Sequence, residues 1–100
     1  MTQVVLGERA RQDLRRLTEF LSEQDPAAAN ATADLIVDAL ALLQRHPRVG
    51  RRVPPTLREL VTQRGRTGYV ALYRVDAADR LVEVLAIRHQ RESGYHLEDL

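Results

Sequence analysis

Two long helical patterns stand in this chain with only the dipeptide Asp25-Pro26 between them, and that joint restricts the fold more than any other feature. In the first pattern Ala10, Leu14, Leu17 and Leu21 recur at intervals of four, three and four, while Arg11, Arg15, Glu19 and Glu23 fall off the stripe. This spacing predicts an amphipathic helix from about Glu8 to Glu23. Asp25 is placed to cap the next helix, and Pro26 suits its first position, where a missing N–H costs nothing. From Ala27 to about Arg45 the residues Ala28, Leu35, Ile36, Ala39, Leu42 and Leu43 make a wide apolar face. Helices on so short a link must fold back as an antiparallel hairpin.

The rest of the chain reads as strands. Gln3 to Leu6 is a short stretch with two valines, closed by Gly7. The second helix breaks near Pro47 and Gly50, and Arg48 to Thr56, with its arginines and Pro54-Pro55, is expected to be a loop. Leu57 to Thr62 is a strand, and the polar Gln63 to Gly68 is its hairpin connection. Tyr69 to Val75 alternates, with Tyr69, Ala71, Tyr73 and Val75 on one face and Val70, Leu72 and Arg74 on the other. After a turn at Asp76 to Arg80, Leu81 to Ile87 is apolar except for Glu83, as a central strand would be. Beyond Arg88 the chain is polar, and Ser93-Gly94 precedes a short helix ending at Leu100. The expected fold is α+β, in the order β-α-α-β-β-β, with a helical hairpin covering one face of a mainly antiparallel four-stranded sheet.

Length and composition narrow the class. One hundred residues at 44% hydrophobic content are expected to form one domain spanning 1–100. Such a chain buries only about 60 to 65% of its unfolded surface, so a bound partner can supply a real share of its stability. Cysteine is absent, which excludes disulfides and thiolate metal sites and suits a reducing cytoplasm. The beginning of the sequence lacks the layout of a signal peptide, and no run is expected to reach the ~18 apolar residues of a membrane span. We therefore expect a cytoplasmic protein without a membrane partner. The net charge of +1 conceals an uneven distribution, because Arg45 to Arg66 holds seven arginines against Glu59 alone, a net +6. A segment so basic suits an anionic contact, either a nucleic-acid backbone or the acidic part of a protein, beside its plain reading as a solvated loop. All fifteen basic side chains are Arg, a bias that a GC-rich genome produces without selection for phosphate binding.

The order of elements and several short words together resemble the RelE/ParE superfamily of toxins. The words are Asp13-Leu14, Pro26-Ala27-Ala28, Leu43 with His46-Pro47, Gly50-Arg51, Leu57-Arg58-Glu59-Leu60, the run from Gly68 to Val75, and Val84-Leu85-Ala86-Ile87-Arg88-His89. Each is short, but they occur in one order across nearly the whole chain. The resemblance implies the toxin of a type II toxin-antitoxin pair, neutralised by a cognate antitoxin and touching operator DNA only through it. It also implies one of two targets, since RelE-like members cut messenger RNA on the ribosome and ParE-like members poison DNA gyrase. We expect the antitoxin to dock on the helical hairpin and an exposed sheet edge.

Cutting RNA requires a base for the 2′-hydroxyl, an acid for the leaving 5′-oxygen and cations for the phosphorane. The resemblance puts the second-strand cations at Glu59 and Val61 and a third-strand Arg at Val70, and none of these residues can stabilise an anion. Arg91 and Tyr95 match the Arg and Tyr that follow the last strand, with His89 and Arg66 as further catalytic candidates. The missing cations favour gyrase, with the nuclease as the alternative and an inactive, antitoxin-binding autoregulator as a third reading. Candidate target-binding residues are Arg64, Arg66, Arg74, Arg88, Arg91 and Tyr95. Tyr69 and Tyr73 are expected to pack under the helices, and His89 to be a structural, hydrogen-bonded histidine. The spacing of His89, Glu92 and His96 matches no common ligand set, so neither metal nor cofactor is expected.

Overall fold

The computed structural model describes residues 2–64 and 67–90. Helix α1 runs from Glu8 to Gln24 and α2 from Pro26 to Arg45. Asp25 caps α2 as its position predicts, its backbone extended and its carboxylate accepting a hydrogen bond from the Ala28 N–H at 3.2 Å. Helix α2 is, by length and composition, long and apolar enough to cross a membrane, contrary to the expectation that no run would be. It serves here as a core helix, with Thr32, Leu35, Ile36, Ala39 and Leu43 buried.

The strands are β1 (Gln3–Leu6), β2 (Arg51–Val53), β3 (Leu57–Arg64), β4 (Thr67–Val75) and β5 (Leu81–His89), making one sheet in the order β1-β5-β4-β3-β2. Strand β1 runs parallel to β5 and every other pairing is antiparallel. Among the described residues the expected four strands are therefore five. The extra one, β2, lies inside the segment assigned to a loop, and it pairs Arg51 with Glu59 and Val53 with Leu57 across a Pro54-Pro55-Thr56 turn. Three residues that include two arginines give no alternation to read, and only the pairing reveals the strand. The Pro54-Pro55 peptide bond is cis. The hairpin connection is also shorter than expected, because β3 and β4 stay paired out to Arg64 and Thr67.

The helices cover one face of the sheet. The core joins Ala10, Leu17, Leu35, Ile36, Ala39 and Leu43 of the helices to Leu60, Tyr69, Ala71, Tyr73, Val82, Val84 and Ile87 of the strands. Tyr69 and Tyr73 are buried there as expected, each with its hydroxyl satisfied. The Thr32 hydroxyl donates to the Ala28 carbonyl at 2.9 Å, so the Tyr69 hydroxyl, 2.8 Å away, donates to Thr32. The Tyr73 hydroxyl accepts the Gly50 N–H at 2.9 Å.

Strand β5 is apolar for a reason beyond its interior position. Leu72 pairs with Ala86 but Tyr73 pairs with Val84, so Leu85 is an extra residue and the alternation switches at this bulge. Val82, Val84 and Ile87 face the helices, while Ala86 and Arg88 stand on the second face. Since β1 ends at Leu6, opposite Val84, no strand among the described residues accompanies β5 further on that side. The buried carboxylate of Asp13 on α1 takes over, accepting the Ile87 N–H at 2.9 Å. The sequence supplied Asp13 as part of a word but gave no sign of this role.

Candidate functional site

The second face of the sheet, away from the helices, gathers the residues on which the two target readings depend. Cross-strand register puts Arg51 of β2, Glu59 and Val61 of β3, Val70, Leu72 and Arg74 of β4, and Glu83, Ala86 and Arg88 of β5 on it. Val61 lies directly opposite Val70. Glu59 is buried and accepts hydrogen bonds from Arg51 Nε at 2.8 Å and Nη2 at 2.5 Å. The strand positions where a nuclease would carry cations therefore hold a carboxylate bound by its own arginine and two paired valines.

Of the candidate target-binding residues, Arg74 and Arg88 do share this face. Arg74 is engaged, its Nε and Nη2 donating to Glu83 Oε1 at 2.8 and 2.5 Å. Arg88 is half-buried, with Nη1 at 3.4 Å from the carbonyls of His89 and Gln90. His89 stands on the opposite, helix-covered face, its ring edge-on to Tyr69 with centroids 5.3 Å apart. The last strand thus separates His89 from Arg88, and the histidine has the packed surroundings of a structural residue. Arg66, Arg91, Tyr95, Glu92 and His96, together with the Arg64 side chain and the segment expected to form a short helix ending at Leu100, lie outside the described residues. Arg51 was not among the candidates. Its place on this face follows from β2, the strand that the sequence did not reveal.

A second surface lies at the other edge of the sheet. Between α1 and α2, beside β1, Leu6, Leu14, Ile36, Val37 and Leu40 line an apolar groove of about 460 Å³, with Arg11 and Arg15 among its walls. Val37 is 63% exposed, and among the described residues β1 is an edge strand with one side unpaired. Helical hairpin, apolar groove and open strand edge are thus contiguous, a combination that suits an amphipathic segment continuing into a strand.

The profile of the ParE toxin of type II toxin-antitoxin systems (parDE) matches residues 4–94. Toxin RelE3 of Caulobacter vibrioides is 42% identical over 92% of this chain and 98% of its own length. Toxin RelE1 of the same organism is 40% identical over 72% of this chain and 77% of its own. Among solved structures, the toxin-antitoxin complex RelBE2 of Mycobacterium tuberculosis contains a similar chain, at 29% identity and a TM-score of 0.56, covering 89% of this chain and 98% of that one. With a family match across most of its length, relatives of nearly equal size and the same two-helix, mostly antiparallel sheet, this chain belongs to the RelE/ParE superfamily of type II toxins.

Proposed function

We propose that this toxin is kept inactive by a cognate antitoxin and, when released, acts in the RelE manner on messenger RNA at the ribosome. The observation that carries this reading is the RelE name of relatives aligned over 72 to 92% of the chain. Gyrase, the target expected from the sequence, becomes the second reading. The chemistry would be assembled on the second face of the sheet. Arg88 brings a guanidinium group to that face, and Arg51 and Arg74 could add theirs only by exchanging Glu59 and Glu83 for the phosphate. Arg91 and Tyr95, two and six residues after His89, are the candidates for a phosphate-stabilising cation and a proton-transferring group.

The test is primer extension on a message translated in vitro with the full chain. Site-specific cuts that require ribosomes are expected, and Arg91→Ala with Tyr95→Phe should slow them by at least about 10²-fold, the combined worth of a general acid or base and an electrostatic group. An intact message at toxin concentrations that arrest growth would refute the reading.

Poisoning of gyrase keeps its standing through one observation, the pairing of Arg51 with Glu59 and of Val61 with Val70 where a nuclease would present free cations. Induction of the toxin separates the two. Double-strand breaks with SOS induction before translation falls would establish gyrase. Loss of translation with intact DNA would exclude it.

The antitoxin belongs on the groove between α1 and α2 and the free edge of β1. Its apolar residues would fill the space beside Leu14, Ile36 and Val37, and acidic residues would meet Arg11 and Arg15.

A further inference from the structure

At the edge of the sheet opposite the groove, the turn between β2 and β3 encloses a cleft of about 540 Å³. Three arginines, Arg48, Arg52 and Arg58, line it together with Pro54, Pro55 and Thr56, and no acidic side chain does so among the described residues. Arg52 and Arg58 are directly opposed across the two strands, on the face toward the helices. Like charges in that position destabilise a strand pair. No carboxylate among the described residues relieves the conflict, since Arg52 makes no hydrogen bond or ion pair there and Arg58 meets only backbone carbonyls.

Arg58 is nevertheless held firmly. Its Nη1 donates to the carbonyls of Arg48 at 3.0 Å and Gly50 at 2.8 Å, which leaves Nε and Nη2 for another acceptor. Arg48 directs Nε and Nη2 at Asp79 Oδ1, both at 2.7 Å, and keeps Nη1. Pro54 and Pro55 fix two φ angles of the turn that joins the strands carrying Arg52 and Arg58. Planar forks converging on a cleft without a carboxylate fit oxyanions, which would accept charge-assisted hydrogen bonds and cancel the repulsion.

We propose that the Arg48–Arg52–Arg58 cleft binds the phosphodiester backbone of RNA, as a holding site distinct from the second face of the sheet. The choice of RNA rests on the reading that this toxin works on ribosome-bound message. It is favoured over an acidic peptide because, although Val53 and Leu57 also line this cleft, the apolar groove with an edge strand beside it that suits a peptide lies at the opposite edge of the sheet. The apolar rings of Pro54 and Pro55 give a sugar or base something to lie against, and the Thr56 hydroxyl can bond to a 2′-hydroxyl.

The experiment measures binding of a short, end-labelled single-stranded RNA to the full chain by fluorescence anisotropy across a salt series. Variants are Arg52→Ala and Arg52→Glu, chosen because Arg52 holds no part of the fold, with Arg11→Glu on the far side of the molecule as the control for net charge. Arg52→Ala should make the log–log salt dependence shallower by about 0.7, the value of one phosphate contact on a single strand. Arg52→Glu should weaken binding at least about five-fold, with Arg11→Glu close to wild type. Equal losses in Arg52→Glu and Arg11→Glu would mean diffuse attraction and overturn the proposal. So would wild-type affinity in Arg52→Glu, or polyglutamate competing as well as an RNA of equal charge. The outcome is separable from that of the proposed activity. RNA binding that depends on Arg52 in a chain that cuts no message would keep the cleft and reject the nuclease, and cleavage with binding indifferent to Arg52 would do the reverse.

Discussion

Gly50 shows how much one residue can carry without a side chain. A Cβ there would stand 2.5 Å from the Glu59 carbonyl oxygen and 2.7 Å from the Tyr73 hydroxyl, one a backbone atom and the other fixed in the core. Gly50→Ala must therefore displace β3 or expel the Tyr73 ring, and we expect a drop in melting temperature larger than that of Tyr73→Phe. The latter strands the buried Gly50 N–H, at a cost of about 1 to 3 kcal/mol. Equal melting of Gly50→Ala and wild type would mean that the 46–50 turn lies further from β3 than described. Burial also raises the Tyr73 pKa above its ordinary 10.0. The phenol stays protonated in the folded chain while the unfolded chain ionises, so its contribution is whole below pH 10 and declines as pH rises beyond it. The word Gly50-Arg51 was visible in the sequence. Its meaning was not, because Tyr73 stands 23 residues away and nothing local announces the contact.

At the level of elements, the helices and the short strand Gln3–Leu6 were legible, while β2 and the irregularity within β5 were not. The stripe through Ala10 and Leu17 is the buried one, at 0% and 8% exposure, so the register of α1 read from its spacing is the one the core uses. Leu17→Ala should cost about 2 to 5 kcal/mol, a large part of what so small a domain has to lose, and a melting temperature unchanged within a degree or two would refute its burial. Leu14, which borders the α1–α2 groove, should cost less. Strand β2 and the bulge at Leu85 escaped the sequence because each depends on a partner strand. The 76–80 turn was seen, but its chemistry was not. Asp76 Oδ1 accepts the Arg80 and Leu81 N–H groups at 2.7 and 3.0 Å, and these bonds hold its pKa below the ordinary 3.8. A depressed carboxylate stabilises the fold above its unfolded pKa, so this contribution is complete above pH 3.8 and is lost as pH falls from there through the folded value. Asp76→Asn should flatten the acid limb of the melting curve, and an acid limb identical to wild type would remove the turn from the account. Register divided the candidates, placing the target-binding candidates Arg74 and Arg88 on one face and the catalytic candidate His89 on the other.

For the molecule as a whole, the proposed antitoxin groove and RNA cleft lie at opposite edges of one sheet, beside β1 and β2. Val37→Asp, on an exposed position of the groove, should leave the toxin folded and poisonous but release it from its antitoxin. Co-expression followed by size-exclusion chromatography would then show free toxin, whereas an undisturbed complex would move the antitoxin elsewhere. The sheet also joins the early chain to the late chain, because Gln3–Leu6 pairs with Leu81–Val84. Contacts of such long sequence separation are slow to form, so this pairing is expected late. Chains stalled on ribosomes before residue 81 should accordingly remain open to protease, and their protection would contradict this order. At elongation rates of about 5 to 20 residues per second, β1 waits roughly 4 to 16 seconds for its partner. The poison is thus harmless for nearly as long as it takes to make, and an antitoxin translated nearby has that interval to be present when the last strand closes.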